Sequence, residues 1–138
     1  MRTKLSDVVV GFGVLLAAVP AVAHHSFAAQ FDSAQPVTLS ATVTKMEWLN
    51  PHAWINLDVK KPDGKVESWE IETGNPSALI RRGFNRNSLP PGVEITVQGF
   101  RAKDGGMRAN GRDLTFKDGK KLFVGSSNTG APGDTPEK

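Results

Sequence analysis

Hydrophobic residues alternate with polar ones over several short stretches of this chain, and the alternation predicts β-strands. Val37, Leu39, Ala41 and Val43 alternate with Thr38, Ser40, Thr42 and Thr44, after which the apolar phase moves to Met46 and Trp48. A phase change inside one strand predicts a bulge or sharp bend near Thr44, and a long bent first strand is what closing a small barrel requires. Leu49-Asn50-Pro51 reads as a tight turn. Ala53, Ile55, Leu57 and Val59 then form one face of a second strand, with His52, Trp54, Asn56 and Asp58 on the other. Lys61-Pro62-Asp63-Gly64 turns the chain into a third strand, Val66 to Glu72, because Pro fixes φ and Gly accepts positive φ.

The segment Asn75 to Gly83 has an N-cap Asn, a first-turn Pro, Arg81 and Arg82 in its last turn and a closing Gly, which predicts one short helix. Leu89-Pro90-Pro91-Gly92 leads into a fourth strand carrying Val93, Ile95 and Val97; a fifth follows around Gly111 to Phe116, and a last hairpin reaches Leu122, Phe123 and Val124. The pattern is all-β with one short helix. A helix between the third and fourth strands is the order of a five- to six-stranded OB-like barrel, where the helix plugs the barrel. An SH3-like barrel or a small open sandwich uses similar strands without that helix position. The domain is placed at residues 37–125, after a lead-in at 24–36 in which Phe27 and Phe31, four apart, pin the N-terminus to the core. The Ser, Asn, Gly and Pro-rich stretch 126–138 is expected to be a disordered tail.

A different pattern precedes the domain. Basic Met1-Arg2-Thr3-Lys4 is followed by an apolar run from Val8 to Val19 and by Ala21-Val22-Ala23, the features of a secretory signal peptide at 1–23 with cleavage after Ala23. The run is well short of the roughly 20 residues that span a bilayer. No paired Arg precedes it, which favours Sec export over the twin-arginine route. The expected location is the periplasm or outside the cell, with no stable membrane anchor after cleavage.

Composition narrows the chemistry. The 138 residues carry 17 Lys plus Arg against 14 Asp plus Glu, a net charge of +3, too small to nominate a nucleic acid or membrane surface as partner. There is no Cys, so disulfides and thiolate chemistry are excluded. After removal of the leader the chain still buries roughly 65% of its unfolded surface, enough for a core without staples.

Several blocks together carry a resemblance: His24-His25-Ser26-Phe27, Asn50-Pro51-His52-Ala53-Trp54, Trp69-Glu70-Ile71-Glu72, Gly74-Asn75-Pro76 with Leu79 and Arg81-Arg82-Gly83, and Leu89 with Pro91-Gly92. In that order they resemble a family of small exported bacterial proteins, domain of unknown function 6152, over about His24 to Val124. The resemblance implies no activity and transfers no catalytic residue.

The candidate chemistry is therefore read from the residues. Cleavage after Ala23 makes His24 the first and His25 the second mature residue. His24 would offer its α-amine and an imidazole nitrogen to one metal, and His25 could use the amine, its amide and its own ring. Nitrogen ligands of this kind favour Cu(II), and their ordinary pKa values leave little proton competition at neutral pH. His52, the one remaining histidine, is the natural third nitrogen. Read more plainly, the terminal pair has incidental copper affinity and His52 stabilises its turn. The alternative function is a metal-independent binding module for a small ligand or a periplasmic protein, using Trp54 with Trp48 and Trp69 and a rim of Arg81 and Arg82. The read sequence contains no Gly-x-Ser-x-Gly, His-Glu-x-x-His or phosphate-loop pattern, and the chain reads as non-catalytic.

Overall fold

The computed structural model describes residues 27–126 and 131–133. The leader, His24 and His25 lie outside the described residues. In chain order the elements are α1 (Phe27–Gln30), β1 (Phe31–Glu47), β2 (Trp54–Lys60), β3 (Val66–Glu72), α2 (Pro76–Arg81), β4 (Glu94–Ala102), β5 (Arg108–Phe116) and β6 (Lys121–Phe123). The protein is thus mostly antiparallel β-sheet with two short helices among the described residues.

The strands pair in the order β3-β2-β1-β4-β5-β6. One further pairing, β3 with β5, is parallel and joins Glu70 to Arg108, Ile71 to Ala109 and Glu72 to Asn110. That pairing turns the first five strands into a ring and leaves β6 as an addition to the far part of β5. Only the last residues of β3 meet β5, so Val66 to Trp69 extend past the start of β5. β1 contributes both of its edges, the first part to β4 and the last part to β2.

Alternation explains the core. Val43, Ile55, Leu57, Ile71, Val97 and Leu114 are each at most 1% exposed and belong to one cluster, while their neighbours along each strand face outward. The register between β1 and β2 shifts between Val43 and Lys45, the bulge that the phase change at Thr44 predicts. α2 begins where expected: the Asn75 side chain accepts the Ala78 N–H at 2.8 Å and Pro76 opens the helix, which satisfies one otherwise orphaned donor. The helix seats Leu79, fully buried, against the core, and Phe84 and Leu89 follow it inward.

Two strand starts differ from the sequence reading. β1 starts at Phe31, inside the expected lead-in, because β4 continues to Ala102 and pairs with it. The register breaks between Phe31 and Pro36, where the Asp32 carboxylate accepts the Ala34 N–H at 2.9 Å. β5 starts at Arg108 rather than Gly111, since the edge of β3 offers it a partner. Most of the stretch 126–138, expected as a disordered tail, lies outside the described residues; of its described residues, Ser126 is 9% and Ala131 5% exposed. Ala131 packs with Phe27, Phe31 and Ala102 in a second apolar cluster outside the main core, and the Phe27 ring stands edge-on to Phe100 with centroids 5.4 Å apart. Phe27 and Phe31 thus pack on this cluster and not on the main core.

Two stability predictions follow from packing. Leu79→Ala should lower the unfolding free energy by about 2–5 kcal/mol, whereas Ile80→Ala, at a position 58% exposed, should change it by about 0.5 kcal/mol or less; urea unfolding of both proteins measures the contrast. Gly99 and Gly64 are expected to differ in kind. A Cβ on Gly99 would overlap the Asn110 carbonyl across the β4–β5 ladder, so Gly99→Ala should cost roughly 3 kcal/mol or more. Gly64, at φ 84° with open space around it, carries only the left-handed backbone penalty, about 1–2 kcal/mol for Gly64→Ala.

Candidate functional site

Residues opposite one another in a sheet share a face. The registers pair Trp54 with Glu72, Glu72 with Asn110, and Asn110 with Phe100. Those four side chains therefore form a row across β2, β3, β5 and β4 on the outward side of the ring. A second row, one step along, holds Asn56, Glu70 and Arg108. Glu72 and Asn110 are only 8% and 2% exposed despite facing outward, so this row is covered.

His52 sits at the head of β2, beside the row. Its backbone position is fixed by the next residue: Ala53 N–H donates to the Gly74 carbonyl at 3.1 Å, and the Ala53 carbonyl accepts from Thr73 N at 2.9 Å and from Thr73 Oγ1 at 2.9 Å. The His52 Nδ1 lies 3.0 Å from the Thr73 carbonyl oxygen. A carbonyl only accepts, so this contact assigns the proton to Nδ1 and leaves Nε2 with the lone pair in the neutral ring. Ser126 Oγ is 3.4 Å and Glu72 Oε1 4.0 Å from the same Nδ1. Both face one nitrogen, whereas a Ser-His-Glu relay places hydroxyl and carboxylate on opposite nitrogens. This trio is therefore not arranged as a hydrolytic triad.

The segment after β6 closes over this corner. Val124 bridges two elements, donating to the Arg112 carbonyl at 2.8 Å and accepting from Gly74 N–H at 2.7 Å. Arg82 donates from Nη1 to the Gly125 carbonyl at 2.7 Å, and Arg112 Nη1 to the Ser126 carbonyl at 3.3 Å. Both guanidinium carbons stand 4.8 Å from the Phe123 ring centroid. The two arginines thus hold the chain segment that carries Ser126. Within the row, Asn110 Nδ2 donates to Glu72 Oε1 at 3.5 Å, while the buried Asn110 Oδ1 has no hydrogen-bond partner among the described residues.

The aromatic and arginine set expected as one binding surface is dispersed. Trp48 stacks on Phe84, three residues after α2, with centroids 6.4 Å apart. Trp69 is 5% exposed and belongs to the core; its Nε1 donates to Glu67 at 3.1 Å and the Arg101 guanidinium lies over its ring. Arg81 is exposed on α2, and Arg82 is engaged with the C-terminal segment. Trp54 alone of the three indoles is half-buried on the outward rows, with the Arg108 guanidinium 6.0 Å from its ring centroid and Glu70 Oε2 3.6 Å from Arg108 Nε. Near it, Lys45 and then Asn56 hydrogen-bond the Glu47 carboxylate and hold it below the ordinary carboxylate range.

His24 and His25 lie outside the described residues, and His52 is the described member of the expected metal set. Among the described residues, no group of three His, Cys, Asp or Glu side chains is placed to hold a metal ion. Sequence reasoning singled out His52 and Trp54 but passed over Thr73, Asn110 and Ser126 as site residues. The available signal was the run Glu72-Thr73-Gly74, polar residues directly after a buried strand and ahead of a helix cap.

Comparison with curated proteins and with solved structures finds no match for this chain. The model of a family of unknown function, DUF6152, matches residues 13–111, well over half of the sequence, and the chain belongs to that family.

Proposed function

We propose that this is an exported, periplasmic or secreted, non-catalytic binding protein that takes up Cu(II) through His24, His25 and His52. The observation that carries the reading is the 3.0 Å contact between His52 Nδ1 and the Thr73 carbonyl. Metal-binding imidazoles commonly donate their other N–H to a backbone carbonyl or carboxylate, which fixes the ring and its tautomer. His52 has that arrangement, with Nε2 left as the donor atom. In a chain cleaved after Ala23, the α-amine and the imidazoles of His24 and His25 would supply the other nitrogens.

We read the ring as an OB-type barrel. Pairings 1–2, 2–3, 1–4, 4–5 and the parallel 3–5, with α2 between β3 and β4, support it, and such barrels bind ligands on the face of strands two and three with the adjoining loops. His52 lies in the first of those loops and Trp54 on that face. A second reading, a metal-independent ligand or protein site on the same face, rests on Trp54 with Arg108 over its ring.

Competition titration with Cu(II) tests the first reading. The chain beginning at His24 should bind one ion tightly. One additional N-terminal residue should abolish that mode, and His52→Ala should weaken binding by more than the roughly 100-fold that loss of an outer-shell partner costs. Equal, weak binding by all three proteins would discard copper and leave the Trp54 face, where Trp54→Ala should remove a ligand interaction that chelators leave intact.

A further inference from the structure

We infer that Glu72 is a positioning residue for the copper site, setting the orientation and donor strength of His52 without touching the ion; this rests on the copper reading above. Glu72 is 8% exposed and its Oε1 stands 4.0 Å from His52 Nδ1. That distance is too long for a hydrogen bond, and the Nδ1 proton is directed to the Thr73 carbonyl. The carboxylate therefore acts through its charge. In a covered position, where screening is weak, a negative charge beside the N–H of an imidazole makes the opposite nitrogen a better donor toward a cation.

The sequence and fold make this placement specific. His52 and Glu72 are 20 residues apart and meet only because β2 and β3 pair with Trp54 opposite Glu72. Asn110, brought in by the parallel closure with β5, turns its Nδ2 toward Glu72 Oε1. The reversed amide would set Oδ1 against the carboxylate, so the observed orientation leaves Oδ1 as the atom without a partner among the described residues. Thr73 supplies the acceptor and Glu72 the charge, from adjacent positions at the end of one strand.

Glu72→Gln separates charge from shape, since a glutamine oxygen still accepts from Asn110. In the mature chain beginning at His24 it should weaken Cu(II) binding by about 10–100-fold and alter the hyperfine splitting of the Cu(II) electron paramagnetic resonance spectrum. Glu72→Asp, which keeps the charge, should recover part of both. Far-ultraviolet circular dichroism of each metal-free protein reports its fold. Tight wild-type binding with an unchanged affinity and spectrum in Glu72→Gln overturns the inference while the copper reading stands. If Glu72→Gln does not fold, Glu72→Asp decides: affinity no better than that of Glu72→Ala overturns it, and recovery above Glu72→Ala supports it. Absence of tight binding by the wild-type chain overturns the copper reading itself, and this inference with it.

Discussion

The parallel pairing of β3 with β5 is the constraint on which the remaining structure depends. It spans three residue pairs, Glu70 to Arg108, Ile71 to Ala109 and Glu72 to Asn110, yet it converts a meander and a hairpin into a closed ring. Closure removes an exposed sheet edge at β5 and fixes which side of each strand faces inward. A slip of β3 by one residue would carry Ile71, 0% exposed, to the outside and bring Glu72 into an apolar interior. The close packing this demands is visible at Gly111, where a Cβ would approach Ile71 Cγ2 to 2.6 Å.

Closure also explains why polar residues are buried on the outside of the ring. Glu72, Thr73, Asn110, Arg112 and Ser126 are each at most 9% exposed and lie where the end of β3, the start of β5 and the segment after β6 converge. A buried polar group needs a partner, and most of these have one: Thr73 bonds Ala53, Arg112 bonds Ser126, and Glu72 receives Asn110. The corner is a polar seam rather than a second core. His52, at its rim, shares in that order, its ring held by a backbone carbonyl whose own position the β2–β3 pairing sets.

Much of the fold was legible because its determinants are local. β3 begins and ends at the predicted residues Val66 and Glu72, the bulge falls at Thr44, and Asn75 caps the helix; each is decided by alternation, phase or a cap within a few residues. Starts at Phe31 and Arg108 were hidden because distant strands, β4 and β3, decide them. The site divides the same way. His52 and Trp54 are marked by residue type, but the burial of Glu72 and Asn110 arises from a contact between positions 38 apart in sequence. Residue type put Trp69 in the expected binding surface, yet it is buried in the core.

The two-sided use of β1 has a consequence in time. β1, β2 and β3 pair between neighbours in the chain and can assemble as soon as they are made, but the first half of β1 waits for β4, whose partner of Phe31 is Ala102. The free edge of β3 waits for β5 in turn. Topologies with such distant pairings fold slowly because the intervening loop must be closed before its contacts form. Until then both outer edges of the early meander stand open, one on each side, and unpaired edges recruit other chains. The interval between completion of β3 and arrival of β5 is therefore when this protein is most exposed to self-association, and the same strand that unifies the finished ring is the one left waiting longest.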